Sequence, residues 1–218
     1  MSELPSALRD RILAQAKAEP AETQRVRSVR IYVYIALGIA ASLGLFLALG
    51  GMKPGARSPA YLAGVAGSGL VLLTGFGALA LGRRTAASVP TSRYVLSAIG
   101  FPLGWALATF ALLALWPLGG SGVHVPRHDA MCAVLSIALG VGPLAALLFA
   151  RRRTVFVSPS WVGAALGATS FTWGAVLMTL VCICSEPLHM LFGHVVPAAL
   201  AGAILGALGG RVLAFRAR

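Results

Sequence analysis

Six apolar stretches of membrane-crossing length dominate this chain: Ile31–Gly50, Tyr61–Gly82, Tyr94–Trp116, Ala130–Ala150, Trp161–Cys182 and Met190–Gly210. A hydrocarbon core of about 30 Å takes roughly 20 residues of α-helix. In lipid every backbone N–H and C=O must find its partner inside the protein, so only helices or a closed barrel can cross. The apolar residues show no strand-type alternation, which leaves helices. Charge content agrees: only 11% of the residues are charged, against roughly 25% in a soluble domain. The expected fold class is therefore all-α, a polytopic membrane protein built as a bundle of six transmembrane helices.

The net charge of +12 would fit a nucleic-acid binder, but its placement speaks for topology. With the N-terminus in the cytoplasm, fifteen of the eighteen basic residues fall on the cytoplasmic side, among them Arg83, Arg84, Arg93, Arg151, Arg152, Arg153, Arg211, Arg216 and Arg218. Only Lys53, Arg57 and Arg127 fall outside. Short loops sorted in this way set orientation by the positive-inside rule. The expectation is a multi-pass membrane protein with both termini cytoplasmic and the lipid bilayer as its first partner. Direct nucleic-acid binding is not expected, because no basic surface with interleaved aromatics is present. The first apolar run follows a polar segment of thirty residues and is too long for a signal-peptide core, so it reads as an uncleaved anchor.

Residues 1–28 form a soluble N-terminal tail, and residues 29–218 the transmembrane domain. In the tail Leu4, Leu8 and Ile12, with Leu13 and Ala16, recur at helical spacing and make one apolar stripe, with Arg9 and Arg11 nearby. Pro5 suits the first turn of such a helix. About fourteen residues of helix are marginal alone in water, so the stripe needs a surface. That surface is either the inner leaflet or a groove on a protein partner read through i, i+4 and i+8 anchors; a disordered tail is the third alternative. Within the spans, small residues recur four apart at Gly100 and Gly104, at Gly163 and Gly167, and at Gly202, Gly206 and Gly210, a spacing that lets helices approach closely in lipid. Pro102, Pro143 and Pro197 are expected to kink their helices. No charged residue lies in the middle of a span, which disfavours an ion path or a coupled transporter.

The chemistry-bearing residues gather at one end. His124, His128, Asp129 and Cys132 surround the start of the fourth span, and Cys182, Cys184, Glu186, His189 and His194 lie between the fifth and sixth. They are all four histidines, all three cysteines and the only carboxylates beyond the tail, and the orientation puts them on the outer face. Asp129 is a plausible N-cap, and His128 and Cys132 share a helix face if the helix begins early. The seven histidines and cysteines are candidate ligands for a transition metal ion such as zinc, copper or iron. Alternatively Cys132 forms a disulfide with Cys182 or Cys184, leaving one thiol over. A third alternative is that the polar groups follow the water and the cysteines merely pack. Ser185 beside Glu186 and His189 lacks a nucleophile elbow, and three cysteines are too few for a thiol oxidase, so an enzyme is not expected.

The basic tail, the six spans, Cys132 near the outer start of span four and the run Cys184-Ser185-Glu186-Pro187-Leu188-His189 followed by His194 resemble bacterial six-span membrane anti-sigma factors. These are the negative-regulator-of-sigma-F type and the related light-response, carotenoid-regulating anti-sigma factors. The resemblance implies that the tail sequesters an extracytoplasmic-function sigma factor, with Leu4, Leu8, Ile12 and Leu13 buried against it and Arg9 and Arg11 supplying electrostatic fit. It also implies that the outer cysteines, Cys132 with Cys182 or Cys184, receive the signal. A membrane metal or cofactor transport protein that uses the cluster as an entry site is the alternative.

Overall fold

The computed structural model describes residues 24–51, 59–81, 91–115, 126–150, 158–182, 184 and 186–212. Among them every regular element is helical. The helices are α1 (Gln24–Ala48), α2 (Pro59–Leu81), α3 (Thr91–Leu115), α4 (Pro126–Ala150), α5 (Pro159–Val181), the short α6 (Pro187–Met190) and α7 (Val196–Val212). A π-helical turn, Leu191–Val195, joins α6 to α7 so that the three run on as one interrupted helix. Five segments are long and apolar enough to cross a membrane: Ser28–Ala48, Thr91–Leu115, Arg127–Ala150, Pro159–Val181 and Pro187–Gly209. The expected second crossing shows a shorter apolar run, Tyr61–Gly75, among the described residues. The tail residues Leu4, Leu8, Arg9, Arg11, Ile12 and Leu13 lie outside the described residues, and α1 begins at Gln24, inside the segment assigned to the tail.

Helix α5 is the hub. It packs against α7 and α4 most extensively, then α3 and α2, while α1 lies mainly on α4. Its unbroken buried run from Ala165 to Thr179 has no lipid-facing side. The sequence accounts for this: α5 carries Gly163, Gly167, Gly174, Ala165, Ala168, Ala175, Thr169, Ser170, Thr172 and Thr179, and it is the least hydropathic of the five spans. Small side chains let four neighbours close on one helix, which in lipid is the main source of packing energy. Three hydroxyls are satisfied inside the helix, Thr169 Oγ1 donating to the Ala165 carbonyl at 2.7 Å, Thr172 to Ala168 at 2.6 Å and Thr179 to Ala175 at 2.8 Å. Large apolar residues such as Leu37, Leu96, Leu107, Val134 and Leu200 instead face outward on the surrounding helices.

Two contacts fix α1 to this core. Gly38 and Gly142 meet face to face, and a Cβ built on either would sit 2.7 Å from the other's carbonyl oxygen. Beside them the Trp173 indole donates to Ser42 Oγ at 3.2 Å, and Ser42 donates to the Leu139 carbonyl at 2.7 Å, tying α5, α1 and α4 in one chain. The expected small-residue pairs divide. Gly163 and Gly167 on α5 meet Leu205 and α7's Gly209 and Gly202, and Gly206 lies against Ala164, whereas Gly104 faces no atom within 4 Å.

Gly142→Leu is accordingly expected to destabilise the bundle by about 1–3 kcal/mol, the usual cost of overpacking. Gly44→Leu on the open face of α1, where a Cβ meets nothing within 4 Å, should leave stability unchanged. Thermal unfolding of both variants in detergent checks the difference.

Candidate functional site

Three elements meet at the end of the bundle where α4 begins and α5 ends. Helix α4 starts at Pro126, earlier than the apolar pattern alone indicates, which places Asp129 in its first turn instead of at the cap. Asp129 and Cys132, three residues apart, then share a helix face, and both are buried. His128 is turned away and exposed, so it is Asp129, not His128, that accompanies Cys132. Helix α5 ends at Val181, and Cys182 leaves it with an extended backbone, its N–H still bonded to the Met178 carbonyl. That break lets Cys182 face Cys132.

The two histidines converge through the π turn. Residues five apart in an α-helix of 3.6 residues per turn point to nearly opposite sides. The wider i→i+5 turn at Leu191–Val195 brings His194 back beside His189. Their rings meet edge to face with centroids 5.4 Å apart. Pro197 helps explain the irregularity: it has no N–H for the Gly193 carbonyl four residues earlier, and Ser136 Oγ of α4 reaches that carbonyl at 3.5 Å. Gly193 itself presses on the site, where a Cβ would come within 3.3 Å of Cys132 Cβ and 3.5 Å of the His189 ring.

The result is a connected polar cluster in an apolar setting. Cys132 Sγ lies 3.8 Å from Cys182 Sγ. Cys182 Sγ is 3.0 Å from His189 Nε2, and His189 Nδ1 is 2.6 Å from Asp129 Oδ1. A carboxylate oxygen accepts from Nδ1–H, which leaves Nε2 facing the Cys182 sulfur. His194 is fully buried, yet among the described residues neither of its ring nitrogens has a hydrogen-bond partner. The ligand atoms of Cys132, Cys182, His189 and His194 all lie within 4.8 Å of one another.

Four of the seven candidate ligands are thus brought together. His128 and Cys184 are not in the group, although the Cys184 carbonyl stands 3.9 Å from Cys182 Sγ. His124 lies outside the described residues. Asp129 is the partner of His189 that spacing alone undervalued; the signal was a lone carboxylate beside an otherwise apolar span. Glu186, half-buried just before α6, has a buried Oε2 without a partner among the described residues.

Two chemistries fit these distances. With metal–sulfur bonds of about 2.3 Å and metal–nitrogen bonds near 2.0 Å, a tetrahedral site has an S···S edge of about 3.8 Å, the separation found here. The sulfur–nitrogen edge would be about 3.6 Å, so His189 would draw back slightly as a shared ion replaced its hydrogen bond. Asp129 on the far nitrogen of His189 is the outer partner that orients ligating imidazoles. A disulfide of about 2.05 Å would need the sulfurs to close by about 1.7 Å; all three thiols are free.

The fold and this site are the context for the family comparison, in which residues 13–215 match negative regulator of sigma F. The chain belongs to that family. No curated protein and no solved structure matches it. The match spans the tail's second half and all the helices, so the site is carried on a negative-regulator-of-sigma-F scaffold.

Burial orders the thiols. Cys132 and Cys182 are buried and Cys184 is half-exposed, so a polar alkylating reagent should modify Cys184 first in the folded protein. Peptide mass mapping should show the other two labelled at least tenfold more slowly, with all three equal after denaturation.

Proposed function

We propose that this chain is a membrane anti-sigma factor of the bacterial inner membrane, with six crossings and both termini cytoplasmic. Its tail holds an extracytoplasmic-function sigma factor through Leu4, Leu8, Ile12 and Leu13, with Arg9 and Arg11 completing the fit. Family membership supports the regulator, and the arginine distribution supports the sidedness. No catalytic step is part of this function.

The signal acts at the outer end, on the group formed by Cys132, Cys182, His189 and His194. The observation that carries this is four ligand atoms within 4.8 Å, on two thiols and two imidazoles that are all buried; among the described residues neither nitrogen of His194 has a partner within hydrogen-bond geometry. Buried polar atoms are nearly always satisfied, and a metal ion taking two thiolates and two imidazoles would engage one of the two His194 nitrogens. Tetrahedral S₂N₂ coordination suits zinc, or another borderline ion of similar geometry. Ligand gain or loss would change the charge and spacing at the junction of α4, α5 and α6. It shifts the sigma-binding equilibrium only in proportion to its preference for one arrangement. A transport reading has less support, since α5 offers no charged residue along its length.

Two experiments test the two halves separately. The intact protein should co-purify with its sigma factor, and Leu8→Asp or Ile12→Asp should abolish capture without lowering protein yield. Undiminished capture by both variants would remove the tail from the mechanism. For the site, one equivalent of zinc should be retained by the wild type and lost in Cys132→Ser and His194→Ala, while Asp129→Asn should weaken it about 10- to 100-fold. Metal-free protein with a Cys132–Cys182 disulfide under signalling conditions would transfer the sensing role to thiol oxidation.

A further inference from the structure

Two of the prolines inside helices leave a carbonyl without its helical donor, and in both places a serine from a neighbouring helix supplies one. Pro143 of α4 has no N–H for the Leu139 carbonyl four residues earlier. Ser42 of α1 donates to that carbonyl at 2.7 Å and is itself held by the Trp173 indole of α5. Pro197 likewise leaves the Gly193 carbonyl, which Ser136 of α4 reaches at 3.5 Å. Both serines are buried, where an unmade hydrogen bond is costly. They string α1, α4 and the π turn together, and Ser136 stands one turn from Cys132.

Helix α1 depends on α4. It lies on α4 far more than on any other helix, through the Gly38–Gly142 approach, the Ser42 bond and the stacked rings of Tyr34 and Phe149, whose centroids are 6.3 Å apart. From Gln24 to Leu37 it contains no glycine or proline, so it is stiff from this joint to the end that carries the tail. In turn α4 meets α5 backbone to backbone. A Cβ on Gly174 would collide with the Ser136 carbonyl and lie 2.8 Å from the Gly140 nitrogen. Here α4 can tilt against α5 but cannot close further. Cys132 lies on one side of this contact and Phe149 on the other, on arms of about 12 and 13 Å at 1.5 Å per residue.

We propose that the Ser42–Leu139 bond at Pro143 is the joint through which the outer site moves α1, and with it the tail. This rests on the reading of the cysteine–histidine cluster as the place where the signal acts. Whatever joins Cys132 of α4 to Cys182, His189 and His194 draws the outer end of α4 toward the hub. The contact at Gly174 turns that pull into an opposite displacement of similar size at Phe149. A proline-weakened helix with its carbonyl unbonded would bend and absorb the motion. With Ser42 in place α4 tilts as one lever and takes α1 along. The site spans both moving parts, so its occupant favours one tilt over the other, as any shift of population requires.

The test reads the tilt in the full chain in nanodiscs, as the distance between nitroxides at Val29 of α1 and Trp161 of α5, both exposed. The labels are carried on ketone-bearing residues, which leaves the three thiols untouched. Zinc alone, added to chelator-stripped protein, should move the mean distance by about 1–2 Å, the size of the lever's swing. Ser42→Ala should still retain one equivalent of zinc yet lose at least half of that movement. Ser42→Thr, which keeps the hydroxyl, should restore it. A wild type that retains no zinc fails the metal reading alone, and the same pair is then measured after diamide has oxidised Cys132 and Cys182 to a disulfide. A full movement in Ser42→Ala with its site occupied or oxidised would overturn the joint. So would a wild-type distance that neither treatment changes.

Discussion

Close approach along α5 is the constraint from which the rest of this protein follows. A helix covered by protein on every side must be thin, and α5 is thin because glycine, alanine, serine and threonine line it. Lipid offers helices no hydrophobic incentive to associate, so packing contact and internal hydrogen bonds have to supply it. The hydroxyls that satisfy themselves within α5 make this burial inexpensive. The neighbours then turn their leucines and valines outward, an inversion of the soluble pattern, in which such residues collect inside. Because α4 and α7 are the principal partners of α5, whatever happens at the end of the hub is felt first by the helix that carries Cys132 and by the one that follows His194.

The polar cluster stands at that end for an electrostatic reason. A carboxylate and an imidazole buried among apolar groups are costly unless paired, and removing one partner of such a pair typically costs 3–5 kcal/mol. Asp129 and His189 meet at 2.6 Å and are both buried. Their position in the first turn of α4 and the short α6 keeps the pair near a helix end, where desolvation is less severe than at mid-membrane. Sulfur extends the network into the core: Cys182 touches His189 on one side and Cys132 on the other. The arrangement is therefore graded, from a charged group at the rim to a soft, polarizable one inward.

Much of this was legible in the residues, for identifiable reasons. Crossing helices announce themselves through length and hydropathy, and five of the expected spans coincide with described helices to within a few residues. Sorting of the cysteines and histidines to one end was equally plain, because so few polar residues compete for attention. Individual partners were not. With α4 starting at Pro126, His128 and Asp129 both lie within one turn of Cys132, and it is packing against α5 and the π turn that buries Asp129 and leaves His128 exposed. Choosing between Cys182 and Cys184 required knowing that α5 stops at Val181, since a continued helix would have rotated both thiols. Gly100 and Gly104 carry the same spacing as Gly163 and Gly167, yet only the second pair meets a neighbouring helix. Spacing reports the capacity for close approach, and tertiary structure decides its use.

The π turn is the feature that periodicity could not have supplied. One residue in excess of an α-helical turn separates His189 from His194 on a shared side. Were the turn to relax to α-helix, the two rings would part and every residue beyond would rotate by about 100°. Helix α7 cannot rotate freely, because Gly202 and Gly206 are fitted against Ala168 and Ala164 of the hub. The wide turn is thus held from below by glycine packing and from within by Pro197, which cannot donate the hydrogen bond an α-helical turn would require. Any ligand that engages both imidazoles adds a third restraint to the same turn. Its binding energy would be felt as helix register, since convergence of the rings and the register of α7 are one geometric condition.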